Sequence, residues 1–382
     1  MSEPNISVCA LMPYPCDTAP SQRFRLEQWL PYLKGQGINV DLFPFADDNL
    51  MRLIHEPGKR LQKAVAITAR LARRVRDVAR IPRYDVVLIH RSASLAGPAL
   101  LERALPLFGR PLIFDFDDAI FLLHATEANR RTAWLKFPGK TATICRLSDH
   151  IVAGNSFLAD YARRYNSRVS IIPSSVDITR FQPRKKHGSN QPIILGWAGS
   201  STSQTYLEMF APVLADLVSL HNVELRVLSD REPKLGGIPF VWRRWSAETE
   251  VEEIADFDIG IMPMPDDEWA RGKCAMKALL YMSLAVPAVC SAVGANCDVI
   301  RHGENGLLAM NREEWVANID SLVKSPALRK RLGEAGRVTV EEHYSTERCA
   351  AAFGRIVRET VEERRARYNV IWNQQKSKSG AR

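Results

Sequence analysis

Two series of nearly solid apolar runs, each interleaved with helical segments, constrain this chain more than any other feature. The first series is ISVCALM (6–12), INVDLFPF (38–45), DVVLIHR (85–91), RPLIFDFDD (110–118), DHIVAGN (149–155) and VSIIPSSVD (169–177). Strands this apolar must be covered on both faces, and the helices between them make the pairing parallel. The alternation breaks at QPRKKHGSNQ (182–191), which is polar, charged and rich in turn formers. It restarts with PIILGWAG, VELRVLS, PFVWRRW, DIGIMPMP and PAVCSAV. Helices are predicted over about 23–35, 59–80, 156–165, 203–220, 249–256 and 345–367. The chain therefore reads as α/β, with two Rossmann-like doubly wound parallel-sheet domains at 1–183 and 192–345. A linker at 184–191 joins them, and a cleft is expected where the carboxyl ends of the two sheets face each other.

A length of 382 residues suits two domains, and 46% hydrophobic residues exclude disorder for most of them. Seven cysteines without a C-x-x-C pair argue against both a disulfide framework and a zinc site. The opening MSEPNISVCALMP has no basic leader, so no signal peptide is expected, and no run approaches the ~20 apolar residues that span a bilayer. A cytoplasmic protein is expected, free or peripheral on the inner face of the plasma membrane. The net charge of +9 is concentrated in 59–83 and in 364–382, where six basic residues occur with no acidic one. Such blocks suit nucleic acid, anionic lipid or phosphorylated substrates. The absence of recognition modules or an aromatic-interleaved basic run argues against nucleic acid. Helix 59–80 carries Leu61, Val65, Leu71, Val75 and Val78 among arginines, which suits either an anionic membrane surface or plain packing with a basic outer face.

Four stretches carry candidate chemistry. After PIILGWAG comes Gly199-Ser200-Ser201 at a helix start, where free N–H groups favour phosphate; plain capping is the competing reading. The RGKCAMK turn puts Arg271, Lys273 and Lys277 at the mouth of a second helix in the same half, so a diphosphate is the expected guest. In DFDDAIF, Asp115 and Asp117 point the same way by period-two alternation, while Asp118 suits a helix cap. These carboxylates could hold Mg²⁺ or Mn²⁺, or one could face substrate as a proton acceptor. Arg23 and Arg25 fall in the predicted first turn of a helix with Ser21 as a plausible cap; cations there oppose the helix dipole unless an anion compensates.

The stretch DIGIMPMPDDEWARGKCAMKALLYMSLAVPAVCSAVGANCDVIRHGENGLLA, followed by LRKRLGEAGRVTVEEHYS, resembles the retaining glycosyltransferases of family 4, which have the GT-B fold. In the first half SQRFRLEQWLPYLKGQGINVDLF, DVVLIHR and IIPSSVD look like segments of the same family, so the similarity covers about 5–350. The resemblance implies a nucleoside-diphospho-sugar donor in the second half and an acceptor in the first. It also implies a final helix, 346–366, that crosses back to the first domain ahead of an unstructured basic tail, 367–382. Donor contacts would come from Gly199, Ser200, Ser201, Arg271, Gly272 and Gly294, with Trp242 and Arg244 lining the base pocket. Acceptor contacts would come from Arg23, Arg25, Arg91 and Asp115. Asp117 stands where many members carry a His near the reacting centre. The pair of Glu separated by seven residues, common in the family, is replaced here by Gly272 and Leu280, and Asp266, Asp267 or Glu268 could stand in for the second. Lys273 and Lys277 would replace the usual Arg/Lys phosphate pair.

The reading that follows is a retaining, metal-independent glycosyltransferase without a cofactor, in which Asp117, Lys273 and Lys277 are catalytic. It would move a sugar from a UDP- or GDP-linked donor to a glycan or lipid-linked acceptor in cell-surface polysaccharide synthesis. The missing carboxylates leave a second reading open, a non-catalytic sugar-nucleotide or glycan-binding protein of the same fold.

Overall fold

The computed structural model describes residues 4–56, 58–95, 97–122, 137, 139–184 and 192–379. Most of the expected linker, 185–191, and the last three residues of the tail lie outside them. The chain divides into two units, Met1–Pro173 with Cys349–Arg382, and Ser174–Arg348. The first boundary falls at 173, ahead of the expected linker, because Val176 bridges to Ser345 inside the second unit.

The sheet of the first unit holds β1 (Ile6–Met12), β2 (Ile38–Pro44), β3 (Val86–His90), β4 (Leu112–Phe116), β5 (His150–Ala153) and β6 (Val169–Ile171). All pairings are parallel, in the order β2-β1-β3-β4-β5-β6. The order reverses between β1 and β3, so the connections leaving those strands depart to opposite sides and leave a crevice at their carboxyl ends. The solid apolar runs reflect burial on both faces: Val8, Ala10, Met12, Ile89, Ile113 and Phe114 are wholly enclosed.

The predicted helix over 23–35 is interrupted. It forms α1 (Pro20–Arg25), a 3₁₀ turn and α2 (Leu30–Gly35), with prolines inside the first turns of both helices. Arg23 and Arg25 thus fall in the last turn of α1, where the helix dipole favours cations. Ser21 is inside α1, not its cap. The predicted basic helix is present as α3 (Arg60–Val78), with Ala66, Ile67 and Leu71 packed on Phe45 and Leu50.

The second unit repeats the architecture with β7 (Ile193–Ala198), β8 (Val223–Ser229), β9 (Val241–Arg244), β10 (Ile259–Met262), β11 (Ala288–Ser291) and β12 (Leu307–Ala309). The order is β12-β11-β10-β7-β8-β9, and every pairing is parallel. Its switch point lies between β7 and β10. The helix expected over 203–220 divides into α4 (Ser201–Met209) and a second helix, Ala211–Leu220, with Pro212 in the first turn of the latter. After β10 come α5 (Glu268–Arg271) and α6 (Met276–Ser283).

The last helix, α7 (Thr346–Ser379), runs past the 367 at which an unstructured tail was expected. No proline or glycine after Gly354 interrupts it before Gly380. From Cys349 onward it belongs to the first unit, where Phe353, Val357 and Val361 enter the core and the Phe353 ring meets Trp29 at 5.3 Å.

Candidate active site

In the second unit the lysine turn is fastened from behind. Ala278, Leu279, Tyr281 and Met282, the apolar turns of α6, are fully enclosed. Tyr281 Oη accepts from Ala198 N–H at 2.9 Å and donates to the Ile261 carbonyl at 3.2 Å, tying α6 to both strands of the switch point. Gly260 lets the Tyr281 ring pass; a Cβ there would lie 2.4 Å from it. Ala275, just before α6, holds a left-handed φ of 53°, a strained conformation for a residue with a side chain. That turn delivers Lys277 to the carboxyl end of β7, its Nζ 5.3 Å from the centre of the Trp197 ring. Lys273 lies over Trp269 in the same manner, at 4.7 Å. Burial first, and the neighbouring Lys273 second, push the Lys277 ammonium down to about 8, with only Cys290 opposing them. Two cations brought together at a switch point, one of them desolvated, form a site that an anion would stabilise.

The other predicted donor contacts divide. Gly294 is required by geometry: at φ 53° and ψ −135°, a Cβ on it would lie 2.9 Å from the Arg271 backbone. Gly199 is required as well, because a Cβ would meet Lys277 and Trp197, each at 2.6 Å. The Ser200–Ser201 turn is occupied differently from the expectation of a phosphate cradle. Ser201 donates from its N–H and its hydroxyl to the Asp230 carboxylate, at 2.6 and 2.8 Å, and Ser200 Oγ pairs with Thr202. An internal carboxylate therefore already fills the anion position of α4. Arg271 is also spoken for, in a bidentate pair with Asp266 at 2.7 and 3.0 Å. Asp267 caps α5 through Ala270 N–H, so neither of these acids stands free to replace the missing Glu. Gly272 ends α5 and Leu280 is buried. Trp242 packs on the core and donates its indole N–H to Ser229 at 3.2 Å, while Arg244 is exposed at the end of β9.

In the first unit the residues expected to hold the acceptor engage one another. Arg25 is fully buried: its Nε and Nη2 contact Asp115 and its Nη1 donates to the Ile172 carbonyl at 2.6 Å. Burial would raise the Asp115 carboxyl, but Arg25 and then His90 hold it down at about 2. Arg25 and Asp115 thus form a buried ion pair at the carboxyl end of this sheet. Arg23 is buried, with its guanidinium 4.6 Å from the Phe24 ring. Asp118 accepts from Arg91 at 2.9 Å, and most of the stretch it was expected to cap lies outside the described residues. Arg91, at a left-handed φ of 59°, also reaches Asp117 at 3.5 Å. Burial lowers the Arg91 guanidinium while Asp118 and Asp117 raise it, and the net direction is up. Arg25, His90 and Arg91 contact these three carboxylates. Among the described residues no group of three metal-ligating side chains occurs.

His90, which the sequence did not mark, and Ser21, expected only as a helix cap, complete this edge. His90, fully buried at the end of β3, contacts Asp115 through Nδ1 at 2.7 Å and Ser21 Oγ through Nε2 at 3.3 Å. Ser21 Oγ donates to Asp117 Oδ1 at 2.5 Å. The one available signal was the placement of His90 at a strand's carboxyl end.

Sequence profiles of two families match the chain: Glycosyltransferase Family 4 over residues 25–180, and Glycosyl transferases group 1 over 193–325. Three solved structures share its fold. A sucrose-phosphate synthase from Thermosynechococcus elongatus is 15% identical, with 92% of this chain and 98% of that one covered and a TM-score of 0.69. A glycosyltransferase from Rickettsia africae is 14% identical over 94% and 99% of the chains, TM-score 0.66. HepE from Anabaena, in complex with UDP and glucose, is 11% identical over 92% and 99%, TM-score 0.64. No curated protein matches the sequence. The paired parallel sheets and the two profiles define a glycosyltransferase of GT-B type. Its first half matches the family 4 model and its second half the group 1 model, in line with the motifs of the two halves.

Proposed function

We propose that the Ser174–Arg348 unit binds a nucleoside-diphospho-sugar, UDP- or GDP-linked, and that its sugar passes with retention of configuration to an acceptor hydroxyl served by Asp117. The observation that carries this reading is the placement of Lys277 beside Gly199 and Trp197 at the β7–β10 switch point, with Lys273 one turn away. As the bond between sugar and diphosphate breaks, negative charge grows on the leaving oxygen. Two ammonium groups fixed in place meet that charge without reorganising, and no metal is required. HepE, solved with UDP-glucose, supports a uridine donor by analogy. TarM, solved with UDP and α-GlcNAc-glycerol, supports a glycan-type acceptor in the same way.

The acceptor reading is a growing cell-surface glycan, free or lipid-linked, met at an anionic membrane. Its support is the outer face of α3, where Leu61, Val65 and Val75 are 79%, 63% and 57% exposed among arginines. A screen of UDP- and GDP-sugars by thermal shift, followed by NMR of the product's anomeric proton, tests the donor and the stereochemistry. Stabilisation by one nucleotide class and an unchanged anomeric configuration are expected. No stabilisation by any nucleotide, or an inverted product, overturns the reading. Low-salt sedimentation with phosphatidylserine vesicles tests the membrane contact, and absence of binding excludes it.

A further inference from the structure

Burial desolvates the Lys277 ammonium, yet it lacks the kind of partner that other buried cations of this chain possess. In the first unit Arg25 meets Asp115, Arg74 stands 3.6 Å from Asp77, and Lys140 contacts Glu102 at 2.8 Å. Such pairs offset the cost of taking a charge out of water. The charged or ionisable groups that act on Lys277 are Lys273, which repels it, and the Cys290 thiol, whose own ionisation burial opposes. Among the described residues no carboxylate pairs with Lys277 and no hydrogen bond engages its Nζ. What it has is Trp197, with the ring centre 5.3 Å from Nζ, inside the ~6 Å reach of a cation over an aromatic face.

The indole is itself fixed. Trp197 is 1% exposed and belongs to the core cluster that holds Leu207, Val227, Ile259 and Ile261. A Cβ on Gly199 would lie 2.6 Å from both Trp197 Cη2 and Lys277 Cε, so the six-membered ring and the lysine stem converge on that point. Lys273 repeats the arrangement over Trp269, at 4.7 Å. A carboxylate in place of the indole would neutralise the ammonium and occupy its N–H groups. An aromatic face attracts the cation through its quadrupole and leaves both the charge and the donors available. That distinction matters where the guest is an anion, because nothing negative has to be displaced first.

We infer that Trp197 is a positioning residue for the diphosphate: its indole face holds the Lys277 ammonium in place, charged and with its N–H groups open to phosphate oxygens. The inference rests on the donor reading of Lys277 given above and adds what holds that lysine. Trp197 acts through the lysine. By fixing a flexible stem beforehand, it spares donor binding the loss of that freedom.

Two measurements on the full chain test this. In protein labelled with ¹³C at the lysine ε-carbons, the Lys277 signal is assigned by its loss in Lys277→Met. Its ε-protons should be displaced from the ordinary lysine position by the indole ring current. A signal at the ordinary position overturns the inference without any change to Trp197. Calorimetry with UDP then completes a cycle of Trp197→Leu, Lys277→Met and the double variant. Trp197→Leu should weaken UDP binding about tenfold in the wild-type background and leave it unchanged beside Lys277→Met. Trp197→Phe shrinks the same core position but retains an aromatic face, so its affinity should stay within about threefold of wild type. Equal losses in the Leu and Phe variants, or the same loss from Trp197→Leu with and without Lys277, would assign Trp197 to packing alone. Either result overturns the inference and leaves the donor reading intact. UDP affinity unaffected by Lys277→Met removes the donor reading, and the inference with it, even where the ring-current displacement is present.

Discussion

Gly199 lies directly against Lys277: a methyl group on the glycine would come within 2.6 Å of the lysine Cε. The absence of a side chain at the end of β7 is what admits the ammonium to the switch point. Gly199→Ala should therefore displace Lys277 without removing its charge. Relief of such overpacking costs roughly 1–3 kcal/mol, so donor affinity should fall about tenfold or more. Titration calorimetry with UDP would show it, and wild-type affinity in Gly199→Ala would mean that Lys277 does not act from this position.

The protonation of Lys277 gives donor binding a pH dependence of definite sign. The group is held at about 8, below the ordinary 10.5, so the free protein loses this charge as pH rises through about 8. An anionic donor favours the charged form, and binding above pH 8 must take up a proton. Donor Kd should rise about tenfold per pH unit there, and the slope should vanish in Lys277→Met. The stability of the free protein has the opposite slope. Between about 8 and 10.5 the unfolded chain holds a proton that the folded chain lacks, so this lysine's contribution grows more favourable with pH. Melting curves of wild type and Lys277→Met across that window check the sign, and parallel curves would contradict the burial of the ammonium.

Arg271→Ala should leave both stability and donor affinity close to wild type. Its guanidinium is exposed and paired with an equally exposed Asp266, and surface pairs of this kind contribute little. A loss of UDP affinity comparable with that of the lysine variants would return Arg271 to the donor site.

Docking of α7 should matter to the first unit. Phe353 is 1% exposed and packs on Trp29, so Phe353→Ala should destabilise by roughly 3–5 kcal/mol. Urea unfolding followed by tryptophan fluorescence would show an earlier first transition. An unchanged profile would mean that the helix is not part of the first unit's core.

The strands were legible because burial on both faces leaves a run of apolar residues whatever the neighbours are; β1 and β3 were readable to within a residue. Helix ends were not, because single residues set them: Pro20 starts α1 early, and the lack of a breaker after Gly354 lets α7 run on. Lys273, Lys277, Gly199 and Gly294 were visible as a turn chemistry at strand ends. The partners of Arg25, Asp115 and the serine turn were not legible, for one reason. A charged residue in a motif shows its charge but not its partner, and here Asp115 meets Arg25, and Asp230 meets Ser201, from distant segments. His90 went unmarked and Ser21 was read only as a cap, since a buried His at a strand end and a Ser near a helix start have no distinctive spacing.

The account stands on the lysine pair as the holder of the diphosphate. Calorimetric titration of UDP into wild type and the Lys273→Ala/Lys277→Ala double variant, at pH 7 and fixed ionic strength, addresses it directly. Loss of two charge-assisted contacts, at about 1.5–3 kcal/mol each, should weaken binding by 10² or more. Equal affinity in the two proteins, with the variant folded by circular dichroism, would contradict it.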